Sequence, residues 1–311
     1  MSKETEKLFN VFGDFDRFEF PADYIYRVTA GKGGEAIMIA GSEKTALIDC
    51  GMAFCGDETA ENVRAVLKKI GKDSLDYILL SHSHYDHMGA LPYITEAFPG
   101  AEVYGSLKAQ DILSRPGARK VMKELGTAAQ KMYASGSTEE IKVEGLKVDV
   151  VINDGDEINL GNMKIIALET KGHTDCSMSY ALEPLNILFT SESTGILVNK
   201  EFLHTPILKD FDDAWESLEK CKGYGARYIC LPHFGMLPEY FNDEYWAMFE
   251  KFYNEKKAYI KGLHDEGYSE DEIFEQYSEK YWRPEMAEEQ PREAYLINSR
   301  AIVKAILKAI K

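Results

Sequence analysis

Three of the chain's seven histidines fall inside six residues, His82-Ser83-His84-Tyr85-Asp86-His87, directly after the apolar run at 77–80. No other feature constrains the fold so tightly. A divalent ion such as Zn²⁺ takes imidazole nitrogen and carboxylate oxygen at about 2.0–2.2 Å. His82 and His84 stand two residues apart, so in an extended segment their rings project to the same side. Asp86 and His87 come next, where the chain can turn into a helix beginning near Gly89. Donors on both sides of such a turn can serve two ions. Functional groups collect where a strand gives way to a loop, so the sequence predicts a buried strand over 77–80 that delivers a metal site.

The surrounding pattern is that of an α/β chain. Short apolar runs at 24–28, 36–40 and 45–48 are separated by Gly31, Gly33, Gly34 and Gly41 and predict strands joined by tight turns. Residues 57–70 carry apolar side chains at Val63, Val66, Leu67 and Ile70, a helical spacing that Gly71 ends. A short helix closing near Pro99-Gly100, a strand at 102–104 and one helical stretch over 106–134 follow. Strands are expected at 146–152, 164–168, 178–182, 186–190 and 228–231, with a helix at 212–222. Beyond residue 240 the texture changes to aromatic and charged residues in helical periodicity, at 245–263, 271–281 and 293–310. This places a boundary near 238, with 1–238 as the main domain and 239–311 as a helical C-terminal appendage. Strand-rich halves with interspersed helices suggest sheets packed face to face under helical layers.

Composition narrows the function. A hydrophobic fraction of 45% supplies ample core, while a formal charge of −16 repels polyanions. Basic residues form only short patches such as Lys68-Lys69 and Lys256-Lys257, so nucleic acid is not expected as a partner. Residues 1–10 show no export signal, and the longest apolar runs fall far short of the roughly 20 residues of a membrane span. Five cysteines, odd in number and without a Cys-x-x-Cys pair, argue against a disulfide framework or a thiolate zinc site. The expectation is a cytoplasmic protein with a small-molecule substrate; the sequence does not specify an oligomeric state.

SHSHYDHMGALP at 81–92 resembles the central metal-binding motif of the metallo-β-lactamase superfamily. ALIDCG at 46–51, KGHTDCSMSY at 171–180, ILFTSES at 187–193 and LPHFG at 231–235 resemble its other motifs, in the family's order. The resemblance covers roughly residues 20–235. It implies an αββα sandwich with metals at the edge of the two sheets. Carried over by position, His82, His84 and His173 would hold one ion, and Asp86, His87 and His233 the other. Asp49 would hydrogen-bond behind the ligands and fix their orientation. Glu192 departs from the family, which usually places Asp there. It either bridges the ions, which is the favoured reading, or binds one, or points away and leaves a single-ion site.

The resemblance further implies two divalent ions, zinc first with iron or manganese as alternatives, and hydrolysis by a metal-bound hydroxide, with Asp86 orienting the nucleophile. The C-terminal helices resemble, in placement, those of glyoxalase II-like thioesterases and of alkyl-quinolone signal response proteins. A small ester, thioester or lactone is the expected substrate, with Tyr240, Phe241, Tyr245, Trp246 and Phe249 either walling its pocket or packing the appendage onto the sandwich. Rival readings are a phosphodiesterase or nuclease, a metal-binding regulatory protein, and a diiron oxidoreductase, whose relatives usually carry Glu at the position of His84. Cys176 is expected to pack near the metals without a chemical role. His204 borders the pocket in this reading, and His264 is a surface residue near a helix C-terminus.

Overall fold

The computed structural model describes residues 23–137, 139–288 and 290–310. Residues 1–10, read above for an export signal, lie outside them. The first sheet has the spatial order β1 (Ile25–Arg27), β2 (Ile37–Ala40), β3 (Thr45–Ile48), β4 (Tyr77–Leu79), β5 (Glu102–Gly105) and β6 (Val150–Val151). Its first three strands are antiparallel, and β3 to β6 run parallel. In the second half come β7 (Glu157–Asn159), β8 (Lys164–Glu169), β9 (Met178–Glu183), β10 (Ile187–Phe189), a hairpin of β11 (Ile196–Asn199) and β12 (Phe202–His204), β13 (Tyr228–Cys230) and β14 (Met236–Leu237). The second sheet has the order β14-β13-β10-β9-β8-β7, with β10 and β13 its parallel pair.

Period-2 alternation sorts the side chains into layers. On β2, Ile37 and Ile39 face the second sheet while Met38 and Ala40 face outward. On β9, Tyr180 and Leu182 enter the same inter-sheet core and Ala181 the opposite face. Helices cover both outer faces. α1 (Gly56–Ile70) and α3 (Leu91–Ala97) lay Val63, Leu67, Leu91 and Ile94 on the first sheet; the four-residue α2 (Tyr85–Met88) lies between them in sequence. The result is an αββα sandwich. Gly71, at φ 70°, ends α1 by returning its N–H to Leu67 and Lys68.

The single helix expected over 106–134 is two, α4 (Leu107–Ser114) and α5 (Pro116–Tyr133). Pro116 forces Arg115 into an extended conformation, φ −84° and ψ 123°, and starts α5 at its first turn. The strand expected over 146–152 shrinks to β6, a two-residue edge pairing. α6 (Phe211–Tyr224) and the C-terminal helices α7 (Asn242–Asp265), α8 (Glu270–Tyr281) and α9 (Arg292–Ala309) complete the chain. Leu218, Phe249, Ile260, Ile302 and Ile306 from these helices share one core with Ala181, Leu188 and Ile229 of the second sheet. Among the described residues no helix is long and apolar enough to cross a membrane. All five cysteines are buried and unpaired.

Candidate metal centre

The centre forms at the carboxyl ends of parallel strands, where chain reversals expose side chains above the sheet edge. Asp49 follows β3, Ser81 and His82 follow β4, Glu192 follows β10 and His233 follows β13. Two groups of donors result. His82, His84, His173 and Glu192 offer one ligand atom each within 4.8 Å of one another, and so do Asp86, His87, Glu192 and His233. The structure therefore brings together all seven side chains expected from the sequence. Glu192, the departure from the family pattern, faces both groups. Its Oε1 lies 2.9 Å from His87 Nε2 and 3.3 Å from His233 Nε2, while Oε2 lies 3.4 Å from His173 Nε2.

Three of the five rings are turned by a partner behind them. His87 Nδ1 lies 3.0 Å from Asp49 Oδ2 and donates to it, turning Nε2 toward Glu192. Ser81 Oγ donates to Asp49 Oδ2 at 2.6 Å, so it accepts from His82 Nδ1 at 2.9 Å and frees His82 Nε2. His173 Nδ1 donates to the Pro206 carbonyl at 2.5 Å. Carboxylates and carbonyls placed behind metal-binding imidazoles in this way fix tautomer and orientation. Two backbone approaches depend on glycine. A Cβ on Gly34 would lie 2.5 Å from His87 Nδ1, and one on Gly172, at φ 121°, would strike the Ala214 backbone at 2.5 Å.

The donor set fits a pair of divalent cations. His173 Nε2 and His84 Nδ1 stand 3.0 Å apart, and His87 Nε2 and His233 Nε2 3.3 Å. Ligand atoms on a tetrahedral ion bonded at 2.0–2.1 Å are separated by about 3.3 Å. His82 Nε2 is buried with no hydrogen-bond partner, a costly arrangement for a group with nothing to bind. Burial, then the neighbouring imidazoles, push His82 well below its ordinary pKa, and burial with His173 lowers His84 to about 4, so both rings are neutral with lone pairs available. Burial disfavours charge on His87 as well, but Asp86, Asp49 and Glu192 outweigh it and raise its pKa to about 10. Burial of Glu192 is likewise overcome by His173, His233 and His87, which hold it well below the usual carboxylate range. The carboxylates thus favour positive charge at this spot, whether a proton or a cation carries it.

Asp49→Asn is expected to weaken metal affinity about 10- to 100-fold, because Ser81 Oγ and His87 Nδ1 donate to one oxygen of Asp49 while the Ser81 backbone N–H donates to the other, and an amide accepts at only one of the two positions. Competition against a chelating dye measures it; unchanged affinity would show that His87 is oriented by something else.

Asp86, His84, Glu192 and His233 form one end of a cavity of about 350 Å³. Its walls are largely apolar, from Val121 and Leu125 on α5, Ile196 and Val198 on β11, Phe234, and Ile297 on α9. The aromatic residues considered for this wall do not line it. Phe241, Tyr245, Trp246 and Phe249 are buried in the core beneath the second sheet, and Tyr245 Oη donates to the Thr194 carbonyl at 2.8 Å, two residues beyond Glu192. Cys176 is buried beside Thr174 and Ser83 and belongs to neither donor group. His264 is half exposed in the last turn of α7, 3.7 Å from Asp265. His204 lines the cavity. Lys256, read only as part of a basic patch, is fully buried. Its place in the stripe Phe249, Phe252, Tyr253, Lys256, Ile260, Leu263 was legible as helical periodicity.

Comparison with known proteins agrees with this architecture. A family model for the metallo-beta-lactamase superfamily matches residues 31–233. The chain is 28% identical over 171 residues to a metallo-beta-lactamase fold-containing protein, ST1585, of Sulfurisphaera tokodaii, covering 53% of this chain and 62% of that one. It is also 28% identical over 161 residues to coenzyme F420H(2) oxidase of Methanothermobacter marburgensis, covering 51% of this chain and 34% of the oxidase. The crystal structure of metallo-beta-lactamase family protein TTHA1429 from Thermus thermophilus superposes with a TM-score of 0.57 at 17% identity, covering 92% of this chain and 94% of that one, a likeness of fold.

Proposed function

Because this chain belongs to the metallo-beta-lactamase superfamily, we propose that it is a metal-dependent hydrolase of a small ester, thioester or lactone, acting in the cytoplasm. The observation that carries the reading is the position of the two donor groups, which close one end of a cavity whose walls are apolar. Such a cavity suits an acyl or aryl chain, with the cleavable bond held against the donors. Two divalent ions bound there would supply Lewis acidity and lower the pKa of a coordinated water toward 7.

The chain's own residues do the rest. Asp86 lines the cavity, with Oδ2 3.7 Å from His87 Nε2 and 3.8 Å from His233 Nε2. From there it orients the attacking water. Glu192, with Oε1 toward His87 and His233 and also 3.7 Å from His82 Nε2, and Oε2 toward His173, keeps the two groups in register. Apolar walls exclude competing water from the acyl end.

Similarity to an oxidase supports a second reading, a diiron oxidoreductase. Five imidazoles against two carboxylates favour zinc, although such donors also bind iron. Elemental analysis of protein purified without added metal, followed by assays on p-nitrophenyl butyrate, a butyryl thioester, a butyrolactone and a phosphodiester, separates the readings. We expect about two equivalents of metal and turnover of at least one of the first three. Fully loaded protein that turns over none of those three would sink the hydrolase reading; turnover of the phosphodiester alone would indicate a phosphodiesterase, dioxygen reduction by iron-loaded protein an oxidoreductase, and inertness a regulatory protein.

A further inference from the structure

Away from the donor groups, one pair of buried titratable side chains adjoins the same cavity. His204, at the end of β12, is buried and lines the cavity. Its Nδ1 lies 3.5 Å from Lys256 Nζ on α7. Lys256 is itself buried and sits over the rings of Tyr281 and Tyr277, 5.3 and 5.9 Å from their centroids. The Tyr295 ring of α9 stands 5.9 Å from His204. His204 Nε2 is buried with no hydrogen-bond partner.

The chemistry of the pair fixes what His204 offers. Burial, then the adjacent Lys256, keep the imidazole well below its ordinary pKa, so the ring is neutral. Burial also lowers Lys256 to about 7; below that pH it is an ammonium that can only donate, which makes Nδ1 the acceptor. A neutral imidazole accepting at Nδ1 carries its proton on Nε2. A buried donor without a partner is costly to leave unmade. The metal-facing end of the cavity is close by, since Pro206, two residues on, lines the cavity and accepts from His173 Nδ1.

We propose that His204 is a substrate-binding residue whose Nε2–H donates a hydrogen bond to a carboxyl or carbonyl oxygen of an acyl ligand in the cavity, and that Lys256 is the positioning residue that fixes its tautomer. The choice of an acyl ligand rests on the hydrolase reading. The contact between Lys256 and Nδ1 and the unpartnered Nε2 do not depend on that reading.

The test is binding of octanoate, as a product-like probe, to zinc-loaded protein by titration calorimetry. His204→Phe should weaken binding about 10- to 100-fold, whereas His204→Gln, which keeps a side-chain N–H, should stay within about threefold of wild type. Because His204→Phe leaves Lys256 without its acceptor and could unfold the chain, His204→Phe/Lys256→Met provides the same measurement with both buried polar groups removed. Nitrogen NMR of the imidazole should show His204 protonated on Nε2 in wild type and a tautomer mixture in Lys256→Met. Failure of wild type to bind octanoate, phenylalanine variants that bind it as wild type does, or a proton found on Nδ1 would each overturn the proposal. Octanoate binding that depends on His204, without turnover of any ester, would retire the hydrolase reading and leave this one standing.

Discussion

Glu192→Gln is expected to reduce bound metal from about two equivalents to one or fewer and to lower hydrolytic activity by more than about 100-fold. The reason is electrostatic. Two dications held about 3.5–4 Å apart repel each other by roughly 15–20 kcal/mol at an effective dielectric constant of 20. A carboxylate facing both sites offsets much of that repulsion, and Glu192 directs Oε1 to His87 and His233 and Oε2 to His173. Glutamine keeps the length and one acceptor oxygen but loses the charge. Its amide N–H groups would also point at imidazole lone pairs reserved for an ion. Elemental analysis and an ester assay on the same preparation check the result. Full metal content with full activity would mean that the carboxylate is not a bridge.

Lys256→Met should stabilise the protein at neutral pH, an unusual outcome for a substitution in a core. An exposed lysine titrates near 10.5, but burial lowers Lys256 to about 7. Between those values the unfolded chain holds a proton that the folded chain has released, so wild-type stability rises with pH across that window. Below pH 7 the full cost of the buried amine is present; above about 10.5 it is gone. The difference corresponds to at most about 5 kcal/mol, less about 1–3 kcal/mol for leaving His204 Nδ1 without its donor. Denaturant midpoints of both proteins at pH 6.5 and pH 10 should therefore show a clear gain for the variant at the lower value and no gain, or a loss, at the higher. An equal gain at both would show that Lys256 keeps its proton in the folded state.

Much of the fold was legible because local patterns and tertiary packing agree. β3 and β4 are buried on both faces and read as continuous apolar runs, as parallel strands do. Gly71 and the Val63–Leu67 spacing bounded α1 within a residue of its observed start. Expectation failed where a backbone effect overrode periodicity, as at Pro116, or where pairing rather than pattern made the strand. The β11–β12 hairpin carries Ile196, Val198 and His204 to the cavity, yet Asn199 interrupts its register and hides the alternation.

The donor cluster divides in the same way. His82, His84, Asp86 and His87 announce themselves by adjacency. His173, Glu192 and His233 arrive from loops of the second sheet, 86 or more positions after His87, and only their motifs marked them. No local signal marked Pro206 as the carbonyl that turns His173, because a backbone acceptor has no residue type. The aromatic run after residue 240 was ambiguous for a physical reason. A ring that packs a helix onto a sheet and a ring that walls a pocket look identical in sequence.

Much of the cavity wall comes from α5, β11 and α9, elements that contribute none of the seven donors. Most of the wall and the donor groups therefore sit on separate parts of the chain. Exchanging Val121, Leu125 or Ile297 for larger or smaller side chains redraws the guest that fits without disturbing a single imidazole. The outline of the cavity can thus be recast from α5, β11 and α9 while the cluster of imidazoles and carboxylates keeps its arrangement.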